Sequence, residues 1–253
     1  MKKDAKEKYD SVAFITKAEH VRVVKDIFKT ITRRYDFLNH FFSLGQDIHW
    51  RRFTTGKMHF FKTFHYLDVA TGTGDLAIEA ALRYPDVRVT GLDFVQEMMD
   101  RGQMKVKQKK LSGRITFSRG DALNLPFPDD HFDVAGVAFG IRNITDRQRA
   151  LEEMKRVVVP GGQVMVLEMN FPRQKLLQRI YHLYLNHILP WTSRHFSRNP
   201  AAYYYLADSI IHFPSPEQFA GIMKDAGLHD IAYYPLTMGI THVYIGMKPQ
   251  KAA

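Results

Sequence analysis

Two glycines, Gly72 and Gly74, lie between an apolar run typical of a buried strand, residues 65–70, and a run typical of a helix that begins at Asp75. Glycine has no Cβ and adopts positive φ readily, so this turn allows a ligand to approach the backbone closely. The helix presents unpaired N–H groups at its first turn. A second apolar run ends in Asp93, whose carboxylate can accept hydrogen bonds from a ribose. The spacing predicts a nucleotide-type binding site.

Two classes of cofactor fit this turn. Residues 72–77 also satisfy the dinucleotide pattern G-x-G-x-x-G/A, so an NAD-dependent oxidoreductase is an alternative. A pyrophosphate would lie at the helix N-terminus, where Asp75 would repel it. We expect Asp68 and Asp75 to favour a cationic ligand without phosphate, such as S-adenosylmethionine. An oxidoreductase also needs a proton donor, and the sheet region contains no convincing Tyr-x-x-x-Lys pair.

A third acidic position supports this interpretation. Asp121 follows a predicted strand, residues 114–119, and its carboxylate can accept a hydrogen bond from an adenine amino group. The carboxyl ends of parallel strands lie at one edge of a sheet, so we expect Asp68, Asp93 and Asp121 to converge there. This convergence is a stronger signal than any one of the three residues.

Strand-like and helix-like segments alternate along most of the chain, which predicts an α/β fold. We expect a Rossmann-like, doubly wound sheet of seven strands, mostly parallel, with helices on both faces and an antiparallel hairpin at its C-terminal end. The predicted strands are 65–70, 87–92, 114–119, 132–138, 163–168, 229–236 and 241–248. The predicted helices between them are 75–83, 95–110 and 146–157.

Two helical regions accompany this alternating pattern. The spacing of apolar residues predicts that residues 1–62 form a helical preface that covers the substrate. Residues 63–253 are predicted to form the domain that contains the sheet. A helical insert, about 170–228, precedes the last two strands. Within it, Ser215 is placed to cap a helix that has Pro216 in its first turn.

The composition of the chain excludes several kinds of chemistry and of cellular location. The chain has 253 residues, of which 45% are hydrophobic, and it has no cysteine, so disulfides and thiolate chemistry are excluded. We predict no metal site. The N-terminus is charged and resembles no secretion signal, and no apolar run approaches the roughly 20 residues of a membrane span. We therefore expect a cytoplasmic protein.

The net charge is +10, and the basic residues are clustered. Residues 101–119 contain seven basic side chains and no acid, and residues 173–198 contain five and no acid. Such clusters attract polyanions, so an RNA methyltransferase or an RNA-binding module is a further alternative. No standard nucleic-acid motif is present, however, and we expect no nucleic-acid partner. Arg194 and Arg198 are candidates for contact with an anionic membrane surface.

Several stretches resemble the ubiquinone/menaquinone biosynthesis C-methyltransferase family of class I S-adenosylmethionine-dependent methyltransferases. The resemblance covers nearly the whole chain, and the Tyr-Asp-x-x-Asn and Phe-Gly-x-Arg-Asn segments are specific to this family. The stretches that carry it, beyond the glycine turn, are 34–39, 43–45, 139–146, 156–162, 166–168, 205–211 and 212–214. It implies C-methylation of a prenylated quinol, either demethylmenaquinol or a ubiquinol precursor. A peripheral association with the inner face of the membrane and a homodimer are further expectations.

The resemblance and the converging strand ends together give the predicted cofactor site. Its residues are Asp68, Ala70, Gly72, Thr73, Gly74, Asp93, Phe94, Asp121, Ala122 and Ala138. Many family members have serine where this chain has Ala138, so any contact there must come from the main chain. Residues 46–50 follow the family pattern Gly-x-His-x-x-Trp only in part.

The predicted chemistry rests on Arg142 and Asn143. Methylation of a ring carbon requires electron density on that carbon, most simply from a deprotonated neighbouring hydroxyl. Arg142, just after the fourth strand, can lower the pKa of that hydroxyl or hold a water molecule, and Asn143 can orient the second oxygen. A structural alternative pairs Arg142 with Asp146. The predicted substrate-binding residues are Tyr35, Asn39, His49, Glu168 and Tyr205.

Overall fold

A computed structural model describes residues 17–32, 35–188 and 201–250. Arg194, Arg198 and the segment 1–16 lie outside the described residues. The helices are α1 (Lys17–Ile31), α2 (Tyr35–Phe42), α3 (Gln46–Thr55), α4 (Asp75–Arg83), α5 (Gln96–Gln108), α6 (Arg147–Val157), α7 (Lys175–Leu183), α8 (Ala201–Ile211) and α9 (Pro216–Asp225). The strands are β1 (His65–Val69), β2 (Arg88–Asp93), β3 (Ile115–Arg119), β4 (Phe132–Ala138), β5 (Val158–Met169), β6 (His229–Leu236) and β7 (Thr241–Met247).

The seven strands form one sheet in the order β3-β2-β1-β4-β5-β7-β6. Strands β1 to β5 are parallel, whereas β7 runs antiparallel to both β5 and β6. The predicted Rossmann-like fold, with its antiparallel C-terminal hairpin, is confirmed. The strand order reverses between β1 and β4, and ligands bind outside the carboxyl ends of the strands at such a point.

Helices cover both faces of the sheet, because successive side chains in a strand point to opposite faces. In β1, Tyr66 packs into the core beneath α3, α4 and α5, whereas Leu67 packs into the core beneath α6 and α9. Ser215 begins α9 as predicted. Its side chain accepts a hydrogen bond from the backbone N–H of Gln218, and the Gln218 side chain bonds back to the Ser215 backbone, which completes a capping box.

The preface and the insert share a third apolar cluster. Val24 and Ile27 of α1 pack there with Tyr181 of α7 and with Tyr205 and Ile210 of α8. Burial of these side chains is the main contribution that holds the helices together. Two parts of the chain that are far apart in sequence therefore form one cover over the carboxyl edge of the sheet.

The preface is also joined to the sheet by one carboxylate. The side chain of Asp133, in β4, is fully buried and accepts hydrogen bonds from four successive backbone N–H groups, those of residues 61–64. The shortest of these bonds, from the Phe64 nitrogen, is 2.7 Å. Buried charges are stable only when they are paired or hydrogen-bonded, and this ring of donors meets that need.

Candidate active site

The glycine turn after β1 is held by the carboxylate that ends β2. Gly72 and Gly74 have φ of 55° and 77°, in the region that disfavours residues with a Cβ. One oxygen of Asp93 accepts a hydrogen bond from the Gly72 nitrogen at 2.8 Å, and the other accepts one from the Val95 nitrogen at 2.9 Å. Burial raises the pKa of Asp93, while these backbone donors lower it in part.

A cavity of about 530 Å³ lies beside this turn, and we call it the glycine-loop cavity. Most of the predicted cofactor residues line it together: Ala70, Gly72, Asp93, Phe94, Asp121, Ala122 and Ala138. Gly140 also lines the cavity, and its segment packs closely on the glycine turn, because a Cβ added to Gly140 would lie only 2.9 Å from the Cβ of Ala70. Carboxylates of Asp93 and Asp121, small residues and an aromatic ring form a lining that suits an adenosine-containing cofactor.

Asp68 and Asp75, which the sequence predicts to favour a cationic ligand, do not line this cavity. Asp68 is buried, and its carboxylate accepts hydrogen bonds from the Thr71 hydroxyl at 2.6 Å and from the Ala77 nitrogen at 3.2 Å. Burial raises the pKa of Asp68 to about 7. Asp75 forms ion pairs with Lys105 and, at 3.5 Å, with Arg51. Both carboxylates are therefore engaged by groups of the protein itself, and their contribution to binding a cationic ligand stays a prediction.

Thr73 links the glycine turn to the preface. Its hydroxyl donates a 2.6 Å hydrogen bond to Asp36 of α2 and accepts one of 3.1 Å from Lys105 of α5. Asp36 also accepts a hydrogen bond from Arg101 at 3.0 Å. Neither Thr73 nor Gly74 lines the glycine-loop cavity. Burial raises the pKa of Asp36, but Lys105, Thr73 and Arg101 outweigh it, so that pKa lies below its ordinary value.

A second cavity, of about 450 Å³, is mostly apolar and lies between the preface, the insert and the segment after β4. We call it the apolar cavity. Four predicted residues line it, namely Asn39, Arg142, Asn143 and Tyr205. Phe28, Phe139 and Asn143 line both cavities. The two cavities therefore meet at the turn that follows β4, the place where a group can pass from one bound molecule to another.

Arg142 forms a buried ion pair with Glu168 at the end of β5. Glu168 also accepts hydrogen bonds from the backbone nitrogens of Arg142, at 3.2 Å, and Met169, at 2.9 Å. Asp146 caps α6 by accepting from the Arg149 nitrogen. Glu168 is fully buried and does not line the apolar cavity, so its contact with that cavity runs through Arg142.

A second guanidinium lies beside this pair. Arg147 donates a 3.3 Å hydrogen bond to the carbonyl oxygen of Arg142 and packs over the ring of Phe213. Burial lowers the pKa of Arg147, while Glu168 opposes that shift. Arg147 thus lies within electrostatic reach of Glu168, which forms its ion pair with Arg142. Of these three side chains, Arg142 is the one that lines the apolar cavity, and a guanidinium there can stabilise negative charge that develops on an acceptor.

Asn143 is oriented by two hydrogen bonds. Its amide oxygen accepts from the Tyr205 hydroxyl at 3.0 Å, and its amide nitrogen donates to the Phe139 carbonyl oxygen at 3.5 Å. Burial raises the pKa of Tyr205 to about 12, so this hydroxyl remains a donor at neutral pH. Tyr205, which the sequence predicts as a substrate contact, therefore also fixes the amide of Asn143.

The structure does not bring every predicted residue into the site. His49 lies exposed on α3, outside both cavities, whereas its neighbour Trp50 is buried and lines the apolar cavity. The Trp50 indole N–H donates to the Thr237 hydroxyl at 2.8 Å, and its ring packs against Phe139. Tyr35 begins α2, and its side chain lies outside what the structure describes.

Several lining residues come from the preface and are not among the predicted site residues. Val24 and Phe28 of α1 line the glycine-loop cavity, and Arg51 and Trp50 of α3 line the apolar cavity. Helical periodicity predicts these helices but not which side faces a ligand, because a core face and a cavity face have the same apolar spacing.

The fold is the Rossmann-like fold that solved methyltransferases share. The chain superimposes on a phosphoethanolamine N-methyltransferase 2 from Haemonchus contortus, solved with S-adenosylhomocysteine, with a TM-score of 0.60 and 18% identity. The match covers 80% of this chain and 53% of that one, so the chain spans about half the length of that enzyme. At this identity the likeness shows the fold alone.

The chain belongs to the ubiE/COQ5 methyltransferase family, which it matches over residues 15–248. It is 45% identical to the ubiquinone/menaquinone biosynthesis C-methyltransferase UbiE of Geotalea daltonii, over 89% of this chain and 96% of that one. It is 42% identical to the demethylmenaquinone methyltransferase of Deinococcus radiodurans, over 92% and 95% of the two chains. The predicted family, methyltransferase activity and cofactor S-adenosylmethionine are confirmed.

The family assignment leaves the NAD-dependent oxidoreductase and the RNA-directed alternatives without support. In the part of the chain that the structure describes, every helix is too short or too polar to cross a membrane.

Proposed function

We propose that this enzyme methylates a ring carbon of a prenylated quinol, either demethylmenaquinol or a ubiquinol precursor, in respiratory quinone biosynthesis. The observation that carries the proposal is the meeting of the two cavities at Phe139 and Asn143. One cavity suits an adenosine-containing donor, and the other, largely apolar, suits an aromatic ring with an isoprenoid tail. The relatives named above carry this activity in their names.

When bound, S-adenosylmethionine supplies the methyl group as a sulfonium electrophile. The ring carbon forms the new bond to the methyl carbon, the old carbon–sulfur bond breaks, and its electron pair stays on sulfur. The ring then loses the proton from that carbon to a water molecule and regains its aromaticity. In the proposal, Ala70, Gly72, Asp93, Phe94 and Asp121 hold the donor at the glycine-loop cavity.

The residues at the end of β4 activate the acceptor in this proposal. Arg142, which lines the apolar cavity, and Arg147 beside it bring positive charge close to a bound quinol hydroxyl and so lower its pKa in this proposal. A phenolate oxygen pushes electron density onto the neighbouring ring carbon, which is the one that is methylated. Asn143, oriented by Tyr205, holds the second ring oxygen.

The preface, residues 1–62, and the insert, about 170–228, form the cover over the acceptor in this proposal. Val24 of α1, Tyr181 of α7 and Tyr205 of α8 share one cluster, which supports that role. A prenylated acceptor resides in a bilayer, so we further propose that the enzyme works at the cytoplasmic face of an anionic membrane. The homodimer stays a prediction.

The test is a transfer assay with purified enzyme. S-adenosylmethionine carrying a labelled methyl group is incubated with reduced quinols that were extracted from a strain defective in this methylation. We expect label in the lipid fraction, dependent on reduction of the quinone. Separate incubations with demethylmenaquinol and with a ubiquinol precursor distinguish the two branches. Enzyme that binds S-adenosylmethionine but leaves the lipid fraction unlabelled contradicts the proposal.

A further inference from the structure

Exposed apolar side chains lie at the apolar cavity and on α2 and α7, the two helices that flank it. Leu44, in the turn between α2 and α3, is 87% exposed, and Leu176 of α7 is 72% exposed. Leu44, Ile180 and Leu183 are exposed and also line the cavity, so its apolar lining reaches solvent at these residues. We define the apolar rim as the exposed side chains of Phe37, Phe41, Leu44, Leu176, Ile180 and Leu183. Patches of this kind mark interaction sites.

The two sides of the rim are fixed to each other. The hydroxyl of Tyr184, just after α7, donates a 2.8 Å hydrogen bond to the carbonyl oxygen of Phe42 in α2. Tyr184 stacks on Tyr181, which is itself part of the cluster shared by preface and insert. The rim is therefore one continuous surface assembled from two distant parts of the chain.

Leu44 is held outward by its backbone. Its φ is 52°, in the left-handed region that residues with a Cβ avoid. The turn is closed by a hydrogen bond from the Gly45 nitrogen to the His40 carbonyl oxygen at 2.8 Å. An unfavourable backbone conformation thus presents a large apolar side chain to solvent, and such strain concentrates at functional sites.

The charges around the rim are positive. Residues 37–49 and 174–188 together contain one carboxylate, Asp47, which is buried against Arg51. On α7, Lys175 and Arg179 are exposed next to the rim. An apolar surface bordered by cations, without an exposed acid in these segments, is complementary to an anionic lipid surface.

We propose that the apolar rim docks the enzyme onto an anionic bilayer, with the mouth of the apolar cavity facing the lipid. The inference rests on the proposed function, because a prenylated quinol would then enter the cavity without crossing water. A second copy of the chain fits less well. A twofold interface would place the same patch against itself, and so bring Lys175 and Arg179 near their own copies.

Flotation with vesicles tests the docking directly. The rim variant carries Phe37→Ser, Phe41→Ser and Leu176→Ser, three positions that line neither cavity. The matched control carries Leu82→Ser and Met104→Ser, which remove apolar side chains 53% and 57% exposed on α4 and α5. We expect the rim variant to bind vesicles containing phosphatidylglycerol about tenfold more weakly or worse, and the control to bind like the wild type.

A second pair of variants tests how much the charges beside the rim contribute to vesicle binding. Lys175→Glu with Arg179→Glu reverses two charges beside the rim, whereas Lys109→Glu with Lys110→Glu reverses two just beyond the C-terminal end of α5. Because α5 runs back from the carboxyl edge of the sheet, Lys109 and Lys110 lie at the opposite edge. We expect only the first pair to weaken binding to phosphatidylglycerol vesicles. Pure phosphatidylcholine vesicles and added salt should weaken wild-type binding in the same way.

Turnover separates docking from chemistry. With a short-chain quinol in detergent-free buffer, the rim variant should match the wild type; with a long-chain quinol in vesicles, it should be slower by about the factor of its weaker binding. Equal vesicle binding by the rim variant, its control and the wild type overturns the proposal. The proposal is also overturned if the wild type is a dimer that dissociates in the rim variant while vesicle binding is unchanged. If the wild type binds vesicles but methylates no quinol, the result contradicts the proposed function and not the docking proposal.

Discussion

Arg142 and Glu168 form a buried ion pair between a guanidinium nitrogen in the turn after β4 and a carboxylate oxygen at the end of β5. Adjacent parallel strands bring the two residues together, since Ala138 pairs with Leu167 in the register of β4 and β5. Of the two side chains, Arg142 lines the apolar cavity and Glu168 does not, so we expect Glu168 to position Arg142.

Glu168→Gln should therefore lower both turnover and stability. The amide keeps the shape of the side chain but removes the negative charge that pairs with Arg142 and acts on Arg147. We expect kcat to fall about tenfold or more and the free energy of unfolding to fall by about 3 kcal/mol. Urea unfolding and steady-state kinetics on a quinol measure the two effects.

Glu153→Gln is the matched control for that variant. Glu153 is also buried and paired with arginines, Arg149 and Arg156, but it lies on α6 and lines neither cavity. We expect it to lose stability with kcat unchanged. If the two variants lose kcat equally, Glu168 has no special role in positioning Arg142.

Arg142→Ala should abolish turnover and leave S-adenosylmethionine binding nearly intact. Arg142 lines the apolar cavity and not the glycine-loop cavity, so its removal affects the acceptor and not the donor. Arg142→Lys keeps the charge but not the planar contact with Glu168, and we expect partial activity. Calorimetry gives the dissociation constant of the cofactor, and the transfer assay gives turnover. Unchanged turnover in Arg142→Ala would remove this residue from the mechanism.

Tyr205→Phe should reduce turnover by freeing the amide of Asn143. The lost hydrogen bond costs about 1 kcal/mol of stability, and the Asn143 amide is then no longer fixed at the point where the cavities meet. Tyr244→Phe removes a nearly identical bond, from a buried tyrosine hydroxyl to the Asn170 amide oxygen at 2.9 Å, away from both cavities. We expect equal losses of stability and a loss of kcat only in Tyr205→Phe. An equal kcat in both variants would show that Tyr205 has only a structural role.

The sequence predicts the fold because its signals are local. Alternating strand and helix patterns, the glycine turn and the cap at Ser215 each depend on a few neighbouring residues, and each appears in the structure. The resemblance adds Arg142 and Asn143. Helical spacing locates the preface, but it does not indicate that Trp50 faces a cavity while His49 faces solvent.

Partnerships between distant residues are not predictable in this way. Asp68 shares one face of β1 with Tyr66, the face that α4 covers, so its carboxylate bonds to Thr71 and Ala77. Asp75 is neutralised by Lys105, thirty residues later, a contact set by the packing of α4 and α5. A carboxylate next to a glycine turn therefore does not by itself identify a cationic ligand.

The raised pKa of Asp68 should make the free energy of unfolding depend on pH. Burial raises its pKa to about 7, well above the value of about 4 expected in the unfolded chain. The native state therefore binds more protons than the unfolded state between these values, and stability falls as pH rises through this window and levels off above it. Asp68→Asn should flatten that part of the profile, although Asp93, whose pKa is also raised, keeps a slope of the same sign. Urea unfolding from pH 4 to 8 measures it; identical slopes in variant and wild type contradict the prediction.

Asp36→Asn should weaken the binding of S-adenosylmethionine, although Asp36 does not line the glycine-loop cavity. Asp36 accepts hydrogen bonds from Thr73 and Arg101 and pairs with Lys105 at 3.2 Å, so it holds α2 against the glycine turn. We expect the dissociation constant of S-adenosylmethionine to rise about tenfold and stability to fall by about 2 kcal/mol. Since the pKa of Asp36 is lowered, its contribution is present at neutral pH and is lost as pH falls through its folded value, and the variant should lack that loss.

Glu97→Gln is the control for Asp36→Asn. Glu97 pairs with Lys29 at 2.9 Å and also joins the preface to α5, but both side chains are exposed. Exposed pairs contribute little because water and salt screen them. We therefore expect cofactor affinity and stability close to those of the wild type. Suppose that Glu97→Gln weakens the binding of S-adenosylmethionine as much as Asp36→Asn does. Any contact between the preface and α5 would then support cofactor binding, and the buried hydrogen bond from Thr73 to Asp36 would have no special role.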